Sequence, residues 1–309
     1  MEVRVTCFSG RSCRASLHYP PLIALLPAHS EFDSEAVAAA AVKLRVVRFN
    51  FDDHVRLHGD APRLPCRALW RGFMLSAERY ALLHAELAAL RVHLVTSPTA
   101  YERALYYPLA YDALAPLSPP ATWVPVPQHP PGSSIIPRSL FVAACNEAAS
   151  WPGCEFVMLK DYIKAAKEQG RFFKVAVEEA AECACELVHA RGSRFERGVV
   201  FKQWVQLAFY PGKQEPKATN EWRLWFCRCA MLSMHPNSFQ SEVAPPPPAA
   251  AVDAAIAAAT RLDSPFLAID LAERDDGEWI CLESNDGGAS GPAPEQDLTA
   301  FWRMLRDAC

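Results

Sequence analysis

The stretch PFLAIDLAERDDGEWICLESNDGGASG, Pro265 to Gly291, holds two alternating apolar runs joined at Asp276-Gly277, a dipeptide that favours a two-residue β-hairpin turn. With the turn there, Asp275 faces Glu278 and, counting outward, Asp270 faces Glu283. Like charges directly opposite one another in an antiparallel pair repel, so the arrangement asks for a cation. The two-residue repeat of a strand puts Ala268, Ala272, Cys281 and Asn285 on the carboxylates' face, where small side chains leave room for a ligand. It puts Ile269, Leu271, Ile280 and Leu282 on a core face. A hard cation such as Mg2+ takes oxygen ligands, commonly one or two carboxylates together with substrate phosphates. Asp270, Glu283 and the Asn285 amide oxygen fit that description. Solvated acids on an exposed hairpin are the competing reading, and a bulge would move the register.

Upstream of this hairpin the second half of the chain is dominated by strands. CEFVMLK ends a strand in Lys160, FFKVAV is a further strand, EEAAECACELVHAR is a helix, and GVVFKQWVQLAFY reads as one long strand. Lys160, followed by the lysine-rich segment DYIKAAKEQG, suits a phosphate because an ammonium is a compact charge with rotatable donors. In EWRLWF, Glu221, Arg223 and Trp225 share one strand face, so Arg223 can clamp a phosphate or carboxylate with two parallel bonds. Gln203, Trp204 and Val205 can line an apolar slot for a flat base. For each of these a plain solvated or ion-paired role is the alternative.

The first half alternates strands and helices: LIALLP, SEAVAAAAVKL, RVVRFNF, then SAERYALLHAELAALR capped by Ser76, VHLVT, and SPTAYERALYY with Ser97 as cap and Pro98 in the first turn. This order implies a parallel sheet covered by helices. Ligands of such sheets collect beyond the carboxyl ends of the strands, near Arg48 and the loop carrying Arg71. From Ala113 to Pro137 proline density predicts an extended connector, which gives a unit of 1–137 followed by one of 138–309.

The length, 309 residues, allows two cores. A net charge of -4 offers no basic excess for nucleic acid, and no apolar run is long enough for a membrane helix. Eleven cysteines, an odd number, argue against a closed disulfide framework and for a reducing, cytoplasmic setting. Cys183/Cys185 and Cys227/Cys229 lack zinc-knuckle spacing. The arginine-containing amino terminus, MEVRVTCFSGRSCRASLHYP, is weakly like a transit peptide; no targeting role is expected of it.

The order of these features, a lysine strand, a lysine loop, a helix, KQWV, an arginine strand and a hairpin bearing Asp and Glu-x-Asn, resembles the ATP-grasp superfamily over residues 141–309. The segments that carry the likeness are FVMLKDYIKAAK, NEWRLWF and FLAIDLAERDDGEWICLESNDGGASG. The first half, with VVRFNFDD, ALWRGFM and SPTAYERALYY, looks like the preceding domain of the clade named for its arginines and lysine. The resemblance implies a Rossmann-like α/β pre-ATP-grasp domain, then an α+β ATP-grasp domain with a smaller lobe (138–205) and a larger lobe (206–309). It further implies ATP between the lobes, with adenine near Gln203, Trp204 and Val205, and Lys160 on the phosphates supported by Lys164 or Lys202. Mg2+ would sit on Asp270, Glu283 and Asn285, and the Gly287, Gly288, Ser290, Gly291 turn would follow. Arg223 would stabilise the transferring phosphoryl group, and Arg48 and Arg71 would face the acceptor.

The expected activity is ATP- and Mg2+-dependent activation of a small-molecule or peptide carboxylate as an acylphosphate, which an amine or thiol attacks. Phosphoryl transfer asks a protein chiefly for positioning and charge neutralisation, and no Ser/His/Asp constellation competes. Two other readings are a nucleotide-binding module without turnover and a metal-dependent nuclease built on the paired acids. The nuclease reading is disfavoured because Asn285 stands where a lysine is usual.

Overall fold

The computed structural model describes residues 20–59, 65–127, 136–163 and 170–309. The arginine-containing amino terminus and Lys164 lie outside them.

The first unit runs β1 (Leu22–Pro27), α1 (Asp33–Ala41), β2 (Arg45–Phe51), β3 (Val55–His58), β4 (Cys66–Trp70), α2 (Ala77–Ala89), β5 (Val92–Leu94), α3 (Pro98–Leu105) and α4 (Tyr107–Leu114). Its sheet has the order β3-β2-β1-β4-β5. All neighbours are parallel except β3, which pairs antiparallel with β2 at the edge. The four central residues of β1 are buried, as expected of a strand covered on both faces. The helix starts follow their caps: Ser76 accepts from the Arg79 amide and Ser97 from the Ala100 amide.

The second unit contains β6 (Ala121–Pro125), α5 (Val142–Ala149), β7 (Phe156–Asp161), β8 (Val175–Ala176), α6 (Ala180–Arg191) and β9 (Gly198–Gln203), with sheet order β6-β9-β7-β8. Here the structure differs from the sequence reading in two places. β6 lies inside the expected connector, yet it pairs along its length with β9, so this sheet begins before the expected 137/138 boundary. The expected long strand stops at Gln203; one last bond in the same register, from the Trp204 amide to Phe156 O, closes its pairing with β7, and the next strand begins only at Phe209.

The third unit holds β10 (Phe209–Tyr210), β11 (Ala218–Thr219), β12 (Glu221–Cys227), β13 (Ala230–Pro236), α7 (Ala249–Leu262), β14 (Phe266–Glu273), β15 (Trp279–Asp286) and α8 (Leu298–Ala308). Its main sheet is β13-β12-β14-β15. Ile23 and Leu25 of β1 pack into a core built mainly by the first unit and joined by Tyr162, Ile163 and Val200 of the second, whereas Ala24 and Leu26 share a core with Trp225, Phe266, Phe301 and Trp302. The first sheet therefore shares a core with the third unit.

The decisive hairpin keeps its register by two compensating departures. Its loop has three residues: the Arg274 amide donates to Glu278 O and the Gly277 amide to Arg274 O. Gly277 occupies the left-handed region at φ 84°, the geometry of a three-residue hairpin loop. That extra residue shifts the ladder so that Ala272 faces Ile280 and Leu271 faces Cys281. A bulge at Leu282 shifts it back, and Asp270 faces Glu283 as expected. Between the loop and the bulge the faces are exchanged. Cys281 is in the core with Ile269 and Leu271, and Ile280 turns to the carboxylate side, the reverse of the sequence expectation for both.

A disulfide joins Cys227 to Cys309 and ties the chain terminus to β12; seven other cysteines among the described residues are free. No helix of the described residues is long and apolar enough to cross a membrane.

Candidate active site between the two later sheets

A cavity of about 330 Å³ opens where β7 and β9 approach β12, β14 and β15. Lys160 and Lys202 enter it from the smaller sheet, and Arg223, Asp270 and Glu283 from the larger. Both lysines are nearly buried, 4% and 3% exposed. A buried ammonium survives only where charge or dipoles compensate its lost hydration. For Lys160, Nζ lies 4.0 Å from Glu283 Oε2. For Lys202, Nζ donates to Leu282 O at 2.9 Å and Cys281 O at 3.2 Å, the carbonyls around the bulge. The Tyr107 ring adds its electron-rich face to both, 5.2 and 5.1 Å from the two ammoniums. Burial nonetheless pulls the Lys202 ammonium down to about 8, with Lys160 adding to the fall and Glu283 opposing it.

Across the cavity Arg223 binds Asp270 through two parallel bonds, Nε to Oδ1 at 2.8 Å and Nη2 to Oδ2 at 2.6 Å. The register makes this possible, since Arg223 and Asp270 are direct partners on β12 and β14. The remaining arm of Arg223 donates to Gly291 O at 2.6 Å. Asn237 Nδ2 donates to the same Asp270 oxygen at 3.3 Å. Asn285 sits beside Glu283 and donates to its Oε1 at 3.1 Å.

Gln203, Trp204 and Val205 line the outer part of the cavity with Met158 and Leu207. Lys174 Nζ stands 4.1 Å from the Trp204 ring centroid. Lys174, Tyr107 and Asn237 were not singled out by sequence. Lys174 carried a signal as the last polar residue of RFFK, whereas Tyr107 and Asn237 join the site only through folding. Arg191, paired to the buried Asp161 at 2.7 Å, fixes the strand end next to Lys160.

Arg48 and Arg71, expected on the acceptor side, are both engaged by the protein itself. Arg48 donates to His29 O at 2.9 Å and to Asp33 Oδ1 at 2.8 Å. Arg71 is 1% exposed; it pairs with Glu35 at 2.8 and 2.9 Å and donates to the carbonyls of Gly287 and Ser290. Neither lines the cavity. Arg71 instead holds one side of the glycine turn while Arg223 holds the other, and Trp225 lies between, 5.6 Å from the Arg71 guanidinium and 5.9 Å from that of Arg223.

A family model described as an ATP-grasp domain, family 3 of the clade named for its arginines and lysine, matches residues 135–305, which contain every cavity residue from β7 to β15. The chain belongs to this ATP-grasp family. Its general class is ATP-dependent ligation. Solved structures of ATP-grasp ligases share the fold over nearly the whole chain. A D-cycloserine synthetase, DcsG, superimposes with a TM-score of 0.60 at 18% identity, covering 93% of this chain and 99% of its own. A RimK-domain ATP-grasp protein from Sphaerobacter thermophilus gives 0.58 at 17%, covering 92% and 98%. D-alanyl-alanine synthetase A from Vibrio cholerae gives 0.57 at 12%, covering 94% and 98%. No curated protein matches the chain in sequence.

Among the described residues no three His, Cys, Asp or Glu side chains gather as a metal site. The ATP-grasp cavity does supply carboxylate oxygens, with Asp270 and Glu283 opposite one another on its wall; Asn285 does not line it and stands behind Glu283, to which it donates. A carboxylate pair suits Mg2+, which keeps several waters and takes the rest of its shell from phosphates.

Proposed function

We propose that this chain is an ATP- and Mg2+-dependent ligase that joins a carboxylate to an amine. The observation that carries the reading is the opposition of two buried ammoniums, Lys160 and Lys202, to the Arg223–Asp270 pair and Glu283 across one cleft. Such a cleft presents cations to a polyphosphate and oxygen ligands to its metal. Among the described residues no cysteine lines it; Cys281, on β15, faces the core, and burial pushes its thiol up to about 12.

In this reading Lys160 and Lys202 hold the phosphates, and the base lies against Gln203, Trp204 and Val205. Asp270 and Glu283, backed by Asn285, would hold Mg2+, which supplies charge neutralisation on the triphosphate. The substrate carboxylate oxygen attacks the γ-phosphorus and ADP leaves. The amine then attacks the acyl carbon, the C–O bond to phosphate breaks, and phosphate and one proton are released. Arg223 neutralises charge on the transferring group. Arg71 is a positioning residue that fixes the glycine turn, and Arg48 secures the loop at His29 near the acceptor side.

The test is to supply ATP and Mg2+ with a pool of amino acids and short peptides and follow ADP and phosphate. ADP release that depends on an acceptor supports the ligase. Tight ATP binding without turnover under any acceptor identifies a nucleotide-binding module instead, and DNA cleavage without ATP identifies a nuclease.

A further inference from the structure

One face of the smaller sheet carries both buried lysines. Lys160 pairs with Val200 and Lys202 with Met158 across β7 and β9, which makes the two lysines diagonal neighbours on the same side, within reach of one another. Their strand neighbours Leu159 and Phe201 belong to the other side and to the second unit's own core. Two like charges this close repel, and burial removes much of the water that would screen them. Glu283 Oε2 stands 4.0 Å from Lys160 Nζ, and Lys202 Nζ reaches two backbone carbonyls. What the two ammoniums have in common is the Tyr107 ring, whose centroid lies 5.2 Å from one and 5.1 Å from the other.

Tyr107 comes from the first unit and is held in place by both units. It is buried, its amide donates to Tyr162 O at 2.8 Å just past the end of β7, and its ring lies 5.6 Å from that of Tyr111. The preceding residue docks the same sheet onto the first unit. Tyr106 Oη donates to Glu196 Oε2 at 2.9 Å, and the Arg197 guanidinium lies 4.5 Å over the Tyr106 ring while binding Glu102 and, at 2.6 Å, Glu78. The Tyr107 ring is therefore fixed relative to the strands that carry the lysines. Its chemistry suits the place. An aromatic face attracts a cation through its quadrupole and carries no net charge, so it offsets lost hydration and leaves both positive charges available to a polyphosphate. A carboxylate there would cancel one of the two charges, and an aliphatic side chain would offset nothing.

We propose that Tyr107 is a positioning residue of the nucleotide site: its ring holds Lys160 and Lys202 side by side toward the cleft, so that the first unit strengthens the grip on the phosphates without touching them. The inference rests on the nucleotide part of the reading above and deepens it with a residue that does not itself line the cavity.

The test varies the electronics of the ring at nearly constant size. Tyr107→Phe is the reference, and phenylalanine carrying one or three ring fluorines is incorporated at position 107 of the full chain, since fluorine withdraws electron density from the ring face with little change of shape. ATP and adenosine are titrated separately into each protein by calorimetry; adenosine has no phosphate for the lysines. ATP affinity is expected to stay within about twofold of wild type in Tyr107→Phe, to fall with fluorination by about fivefold in the trifluoro variant, and to fall by about tenfold or more in Tyr107→Leu, while adenosine affinity stays the same throughout. ATP affinity independent of fluorination overturns the assignment. So does a parallel loss of adenosine binding, which would mark the ring as packing only, or a loss in Tyr107→Phe as large as that in Tyr107→Leu, which would assign the effect to the hydroxyl. A wild-type protein that binds no ATP removes the nucleotide reading itself and this role with it.

Discussion

Arg223 and Asp270 stand directly opposite one another on β12 and β14 and close a two-point ion pair, 12% and 5% exposed, at the floor of the cavity. A pair this deep has surrendered most of its hydration, and removing one partner strands the other. Arg223→Ala is expected to destabilise the protein by about 3–5 kcal/mol, read from urea unfolding. Replacing both residues with apolar side chains should recover most of that stability and none of the ATP turnover. A double variant that retains turnover removes the pair from the chemistry.

Glu283 is a different case, since its side chain is 36% exposed. Glu283→Gln keeps its shape and removes the charge that a divalent ion needs. ATP turnover is expected to vanish while the melting temperature moves by no more than a few degrees. Wild-type rates in this variant would refute its role.

Lys160→Ala should weaken ATP binding by at least tenfold, a loss of about 1.4 kcal/mol, measured by nucleotide titration. An affinity equal to wild type would take Lys160 out of the site.

Lys202 gives the pH dependence. Its folded-state pKa, about 8, is below that of an exposed lysine. Below pH 8 the ammonium is charged in both states. Between pH 8 and about 10.4 the unfolded chain binds the proton and the folded chain does not, so this group adds stability as pH rises through that window. ATP affinity should move the opposite way, falling above pH 8 as the phosphate contact loses its charge. Parallel unfolding and nucleotide titrations from pH 7 to 10 check both slopes.

The glycine turn offers a matched pair of substitutions. A Cβ at Gly288 would lie 2.4 Å from Trp70 Cε3 and 2.6 Å from Trp70 O, whereas one at Gly291 meets nothing within 4 Å. Gly288→Ala is expected to cost about 1–3 kcal/mol and to lower turnover by displacing the turn. Gly291→Ala should be nearly silent, and equal effects would show that the contact with Trp70 is not what constrains the turn.

Local signals in the sequence settled a good deal. Cap residues set the starts of α2 and α3, alternation set the faces of β12, and the strand ending in Lys160 was legible because a polar residue closes an apolar run. Asp270 and Glu283 could be paired by counting from Asp-Gly, though the count succeeded through two errors of opposite sign, the longer loop and the Leu282 bulge. Pattern reading is blind to a bulge because the inserted residue need not change the composition of either face.

By itself the sequence determined which elements form, which of their faces are apolar, and which charged residues end strands near one another. Only the tertiary structure decided which charges are buried and what compensates them. Arg71, read in the sequence as an acceptor contact, spans the glycine turn more than two hundred residues away in the chain; Lys202 looked auxiliary and proves to grip the bulge of the opposite sheet. The reason is physical: periodicity reports the affinity of a local face for water, whereas the fate of a buried charge depends on carbonyls and carboxylates delivered by distant segments, which no local pattern encodes.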